Sequence, residues 1–99
     1  NAKYISYKTL TQPQEINLIK KMAEFPEILE KSAKQLSPHI IAEYSYQLAS
    51  LFNQFYEHCS VIKEQDQYTL HTRLTLVKAY TVIIKRSLNL LGIDTVNEM

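Results

Sequence analysis

Apolar residues recur at helical spacing in four segments of the chain, separated by short polar or proline-containing breaks. The first segment begins at Pro13, a residue suited to the first turn of a helix because no hydrogen bond is lost there, and ends near Glu24. Thr11 can cap this helix, with Gln14 three residues later. We expect its buried face to contain Ile16, Ile19, Met22 and Ala23.

Two further prolines predict the starts of the next two helices. A second helix is predicted from Pro26 to about Leu36, because the residue before a proline is driven out of the α region. A third is predicted from Pro38, with Ser37 as its cap, to about Cys59. The predicted apolar positions of the second helix are Ile28, Leu29, Ala33 and Leu36. Those of the third are Ile41, Tyr44, Leu48, Leu51, Phe55 and Cys59.

Residues 60–67 interrupt the helical spacing of apolar residues in the third predicted helix and carry several polar side chains, so we predict a connection there. Asp66 is placed to cap a fourth helix, expected from about Tyr68 to Leu91. Gly92 then ends that helix at the position that favours a left-handed residue. The apolar positions expected on its buried face are Leu70, Leu74, Val77, Ile84, Leu88 and Leu91.

Composition indicates one helical domain. The 99 residues, 45% of them hydrophobic, are enough for a single core, and the single glycine is far below the average usage of roughly 7%. We therefore expect residues 11–99 to form an all-α, compact bundle of about four helices, with residues 1–10 as a tether from an upstream domain. Because the chain starts on Asn1, we expect it to be a fragment.

Charge and cysteine content narrow the function classes. The formal charge of +1 is not that of a strongly basic nucleic-acid binder, so a nucleic-acid role would depend on local arrangement and aromatic stacking, which suit single-stranded loops. The single cysteine, Cys59, indicates a reducing compartment, and we expect a cytoplasmic protein. No apolar run approaches the roughly 20 residues of a membrane span.

Catalytic chemistry is not indicated. His39, His58 and His71 are scattered, and His58 and Cys59 are neighbours on a helix, so their side chains point about 100° apart. There is no glycine-rich phosphate loop and no zinc-ligand spacing in the sequence. We expect this domain to be inert by itself, without metal or cofactor, and Cys59 to be a small buried group.

Aromatic and basic residues are mixed on the predicted helices. Tyr44, Phe55 and Tyr80 fall on or beside apolar stripes and are expected in the core. Tyr56 lies one residue past Phe55, next to the polar connection, so about half of its ring is expected to be exposed. Four basic residues of the last helix are candidate phosphate contacts, with simple solvation as the competing interpretation: Arg73, Lys78, Lys85 and Arg86.

Four blocks of residues occur in a fixed order from Phe25 to the end of the chain. They are Phe25-Pro26-Glu27-Ile28-Leu29 with Ala33; Pro38-His39 with Tyr44, Leu48 and Ala49; Phe52-Asn53-Gln54-Phe55-Tyr56; and Thr72-Arg73-Leu74-Thr75-Leu76-Val77-Lys78-Ala79, closing with Leu90-Leu91-Gly92-Ile93 and Glu98-Met99. With these blocks the chain resembles the DALR-type anticodon-binding domain of arginyl-tRNA synthetases. The resemblance implies that Met99 is the natural C-terminus of the parent enzyme.

The resemblance also implies a function and a set of contacts. The parent would be a class I enzyme that joins arginine to its tRNA, using ATP with Mg in an upstream catalytic domain, and this piece would bind the tRNA anticodon arm. Tyr56, Met99, and Ser60 and Val61 in the loop after Tyr56 are implied anticodon contacts. The sequence departs from the family at Ser60-Val61-Ile62, where relatives place an aromatic residue. For Asn53, RNA contact and helix packing are equal alternatives.

Two other interpretations remain open at this stage. Near-neutral charge with seven tyrosines and three phenylalanines also fits a helical module for protein contacts, which docks onto the catalytic domain or recruits a partner. The fragment could also belong to a cysteinyl-type relative or to a free-standing DALR protein without synthetase activity.

Overall fold

Four α-helices make up the part of the protein that the computed structural model describes, residues 12–59 and 66–92. In chain order they are α1 (Pro13–Ala23), α2 (Phe25–Gln35), α3 (Pro38–His58) and α4 (Gln67–Leu90). The predicted all-α class is confirmed, and each boundary lies within one residue of its predicted position. The predicted tether over residues 1–10 lies outside the described residues.

The start of α1 uses a different cap from the one predicted. Gln12 is the N-cap, and its backbone N–H donates to Glu15 Oε1 at 3.1 Å. The predicted pair was Thr11 with Gln14, and Thr11 lies outside the described residues. A carboxylate three residues after the cap satisfies a backbone amide that the helix itself leaves without a partner.

Both ends of α4 confirm their predicted signals. The Asp66 carboxylate accepts hydrogen bonds from the Thr69 backbone N–H at 2.9 Å and from the Thr69 hydroxyl at 2.7 Å. These hydrogen bonds lower the pKa of Asp66 because they favour its charged form. At the other end Gly92 has φ +80°, the left-handed conformation that terminates a helix.

The core is organised around α3, which packs against each of the other three helices. Its predicted apolar face is confirmed, since Leu51 is half-buried and the other five positions are buried. The buried cluster at the centre of the bundle consists of Leu18, Met22, Phe25, Tyr44, Leu48, Phe55, Cys59 and Leu76.

The predicted buried face of α1 is confirmed only in part. Met22 is buried and Ile19 is half-buried against the core, but Ile16 and Ala23 are exposed, and the helix also buries Glu15 and Leu18. Glu15 can occupy an interior position because both oxygens of its carboxylate accept hydrogen bonds, one of them from a buried arginine of α4.

The predicted faces of α2 and α4 are confirmed at most positions and wrong at three. In α2, Ile28 and Leu29 are half-buried, but Ala33 is exposed, and so is Leu36, which ends the helix in a left-handed conformation with φ 50°. In α4, Leu74 is exposed and the other five predicted positions are half-buried, whereas the fully buried residues are Thr72, Arg73, Leu76 and Ser87. Polar residues can take such positions when they have partners, as when the Ser87 hydroxyl donates to the carbonyl of Ile83 at 2.9 Å.

Candidate functional site

Tyr56 presents an exposed ring on the last turns of α3, with 54% of the residue accessible to solvent. One face of the ring lies on Phe52, with centroids 5.9 Å apart and planes inclined by 27°. Phe52 in turn stacks on Tyr80 of α4 at 3.9 Å and 5°. The expected half exposure of Tyr56 is confirmed, and the stack ties this ring to the hydrophobic core.

The polar groups of the aromatic stack are the hydroxyls of its two outer rings, Tyr56 and Tyr80, with Phe52 between them. Burial raises the pKa of the Tyr80 hydroxyl, because it disfavours the charged form. Phe52 also packs against Phe55, at 6.0 Å between centroids, and Phe55 is fully buried. An exposed ring backed in this way is held in place before any ligand arrives, which reduces the entropy lost on binding.

Asn53 lies one helical turn before Tyr56, on the same side of α3, and its side chain is exposed. Its exposure argues against the alternative of helix packing, and contact with RNA remains a prediction. Ser60, Val61 and Met99 lie outside the described residues. Their contacts with an anticodon loop therefore remain predictions.

Arg73 corrects the expectation of a phosphate contact. Its residue is only 8% exposed, and its Nε donates to Glu15 Oε2 at 2.8 Å. Glu15 is fully buried, and its other oxygen accepts the N–H of Gln12. The guanidinium thus ties α4 to α1 inside the bundle, where a charge is stable only with such a partner.

The remaining three cations lie toward the outside of α4. Lys78 and Arg86 are exposed, and Lys85 is half-buried. At about 100° per residue, Lys78 and Lys85 share the side of the helix opposite the buried Leu76, and Arg86 lies about 100° further round. They form a basic region on a different helix from Tyr56.

Cys59 and the histidines show no catalytic arrangement in the described residues. The Cys59 thiol is buried, and its pKa is raised by that burial and by the Glu15 carboxylate, although Arg73 acts in the opposite direction. This confirms Cys59 as a small core group. His58 Nδ1 lies 2.9 Å from the carbonyl of Gln54, and His71 Nε2 lies 3.2 Å from Gln67 Oε1.

Metal-binding clusters and membrane-spanning helices are both absent from the described residues. Residues 12–59 and 66–92 contain no group of three or more His, Cys, Asp or Glu side chains able to hold a metal ion. Among the same residues, no helix combines the length and apolar character that crossing a membrane requires.

Tyr46 is a second exposed ring on α3 that the sequence pattern did not single out. Tyr46, near the middle of α3, is 78% exposed and lies seven residues before Asn53, on the same side of the helix. The signal was present in the spacing of Tyr46, Asn53 and Tyr56, but the stronger apolar period of the opposite side obscured it.

A sequence model of the DALR anticodon binding domain family matches residues 1–99. The chain belongs to the DALR anticodon-binding domain family. The match includes residues 1–10, and the family resemblance seen in the sequence is confirmed.

Curated relatives of this DALR domain are arginine–tRNA ligases. The relative from Methanoregula boonei is 43% identical over 90 residues, which cover 91% of this chain and 16% of the relative. The relative from Methanosarcina acetivorans is 40% identical over 98 residues, which cover 99% of this chain and 17% of the relative. A third relative, from Saccharophagus degradans, is 42% identical over 91 residues, which cover 91% of this chain and 16% of the relative. The chain thus spans about a sixth of the length of these relatives.

Proposed function

We propose that this DALR domain binds the anticodon arm of a tRNA and that Tyr56 stacks on an unpaired base of the loop. The observation that carries the proposal is the half-exposed Tyr56 ring, which packs against Phe52, whose ring in turn stacks on Tyr80. Proteins recognise single-stranded RNA mainly by stacking splayed-out bases on such rings. Asn53, exposed one turn away, offers an amide that can donate to and accept from a base edge.

The rest of the contact surface follows from the same proposal. Lys78, Lys85 and Arg86 supply positive charge for the phosphates, because they lie on the outer part of α4 while Arg73 is held inside. Ser60, Val61 and Met99 complete the anticodon contact in this proposal, as the family resemblance implies.

The parent protein, in this proposal, is a cytoplasmic arginine–tRNA ligase that attaches arginine to tRNA using ATP. The relatives that bear this name support it, and the chain corresponds to about a sixth of their length. ATP with Mg would bind in an upstream catalytic domain, which is also the intramolecular partner of this bundle.

Replacement of Tyr56 tests the binding proposal. A stacked base contributes roughly 1–3 kcal/mol, so Tyr56→Ala should weaken binding of an arginine tRNA anticodon stem-loop by roughly 5- to 150-fold. Tyr56→Phe keeps the ring and should bind nearly as well as the original protein. Fluorescence anisotropy measures both, with circular dichroism to show that each variant is folded. Equal binding by Tyr56→Ala and the original protein would contradict the assignment.

One observation favours the alternative of a protein-binding module. Leu36 and Leu90, two of the most exposed leucines, line a groove of about 380 Å³ between α2, the start of α3 and the end of α4. Apolar exposed surface of this kind is typical of protein contacts.

Titration with the stem-loop at two salt concentrations separates RNA binding from protein binding, since phosphate contacts weaken as the salt concentration rises. Absence of binding at low salt would favour the protein-binding function.

A further inference from the structure

The exposed side of α3 carries a row of groups suited to nucleobases. Tyr46, Asn53 and Tyr56 lie at spacings of seven and three residues, which at about 100° per residue places them within about 80° of one another. All three side chains are exposed. The two tyrosines are ten positions apart in the sequence, which corresponds to about 15 Å along the helix at about 1.5 Å per residue. The row is therefore longer than one base requires.

A groove beside Tyr46 gives that end of the row a binding volume. It lies between α1 and α3, on the side of Tyr46 that faces away from Tyr56, and is open to solvent. It measures about 340 Å³ and is lined by Lys21, Tyr46, Gln47, Ser50 and Leu51. Small-molecule sites in proteins typically occupy about 300–1,000 Å³. The lining combines an aromatic face and an apolar side chain with an amide, a hydroxyl and an ammonium. These are the groups that a base needs for its flat face and its polar edge.

The α1 side of the groove is held firmly. The hydroxyl of Tyr44 donates to the carbonyl of Lys21 at 2.7 Å, and the Lys21 ammonium lies 5.5 Å from the centre of the Tyr44 ring. The same ammonium donates to Gln47 Oε1 and forms an ion pair with Glu24 at 3.4 Å. Glu24 offsets the lysine charge, so the groove suits a neutral base better than a phosphate.

We propose that this groove is a second base-binding site, in which Tyr46 stacks on another unpaired nucleotide of the strand that Tyr56 contacts. The proposal rests on the RNA-binding function above and extends it from one base to two. Stacked bases are about 3.4 Å apart, whereas the two tyrosines are about 15 Å apart along the helix, so each ring takes a different nucleotide. Ser50 then faces the edge of the base, while Gln47, whose amide accepts from Lys21 and donates to Glu43 Oε1 at 3.4 Å, forms the wall beside it.

The two sites are tested together with anticodon stem-loops that carry 2-aminopurine, a base whose fluorescence is quenched by stacking, at one loop position at a time. Tyr46→Ala should weaken binding by roughly 5- to 150-fold, and Tyr46→Phe should bind nearly as well as the original protein. The loop position that regains fluorescence in Tyr46→Ala should differ from the one that regains it in Tyr56→Ala. Leu90→Ala, an exposed residue outside the groove, is the control for nonspecific effects.

The outcomes separate the two proposals. Weaker binding by Tyr56→Ala with unchanged binding by Tyr46→Ala would overturn the second site alone. Recovery of fluorescence at the same loop position in both variants would also overturn it, because the rings would then share one nucleotide. Unchanged binding by both variants would overturn the second site and the RNA function of Tyr56 together. Tyr46 is largely exposed, so its replacement should leave the fold intact, which circular dichroism verifies.

Discussion

The inner and outer sides of α3 carry the same kinds of side chain for different purposes. Tyr44 is buried, with its ring stacked on Phe25 at 5.9 Å, whereas Tyr46, two residues later, is largely exposed. Phe55 and Tyr56 are adjacent, and only the first is buried. The inner side builds the core, and the outer side is left for a ligand. Changes on the two sides should therefore affect stability and RNA binding separately.

The largest expected effect is the loss of the buried ion pair. Arg73→Ala leaves the carboxylate of Glu15 inside the bundle without its cationic partner, which should lower the free energy of unfolding by about 3–5 kcal/mol. Urea denaturation followed by circular dichroism measures this. Lys78→Ala, which removes an exposed cation of the same helix, is the matched control and should change stability by less than about 0.5 kcal/mol. If Arg73→Ala is as stable as the original protein but binds RNA more weakly, Arg73 contacts a phosphate and the buried ion pair does not stabilise the fold.

A smaller effect is expected at the inner tyrosine. Tyr44→Phe removes the hydrogen bond to the Lys21 carbonyl and should lower the free energy of unfolding by about 0.5–1.5 kcal/mol at neutral pH. If the stability of this variant equals that of the original protein, the hydroxyl contributes nothing to the fold.

Alkaline titration sharpens the same prediction. Burial, and then the charge of Glu24, raise the pKa of Tyr44 from 10.0 to about 12, so the folded protein holds this proton more tightly than the unfolded chain. The stabilisation is complete below pH 10 and should be lost as the pH rises from 10 to about 12. Tyr44→Phe should show a shallower loss of stability in this window. Tyr80, whose pKa is also raised, remains in both proteins.

The smallest expected effect is at the outer cations. Arg86→Ala should weaken RNA binding only slightly and reduce the slope of log affinity against log salt concentration by about 1, with little change in stability. Lys34→Ala removes a cation from an exposed ion pair on α2 and should leave that slope unchanged. The same slope for Arg86→Ala as for the original protein would remove Arg86 from the phosphate contacts.

The helix boundaries could be predicted because their signals are local. Pro13 and Pro38 begin helices, Asp66 caps one and Gly92 ends one, and each acts through its own backbone geometry. The buried face of α3 was also predictable, since its apolar period is strong. The burial of Glu15 in α1 and of Arg73 in α4 was not, because each depends on pairing with the other, and they lie 58 residues apart. No local pattern identifies that pair.

The candidate site was predictable in part for the same reason. The exposure of Tyr56 followed from its position just beyond the apolar stripe of its own helix. The burial of Arg73 and the groove beside Tyr46 arise from contacts between helices, with α1 supplying Glu15 in one case and Lys21 in the other. Whether a charged or aromatic side chain is buried or exposed is therefore decided by the packing of the helices, which the sequence of one helix does not reveal.

The central claim is that the outer side of α3 takes the bases of an RNA loop. Titration of the nitrogen-15-labelled protein with the anticodon stem-loop, followed by NMR, tests it most directly. The predicted result is that the largest chemical-shift changes fall on Tyr46, Asn53 and Tyr56 and their exposed neighbours, while α2 changes little. Changes concentrated on α2 and the groove at Leu36, or no changes along α3 at low salt, would contradict the claim.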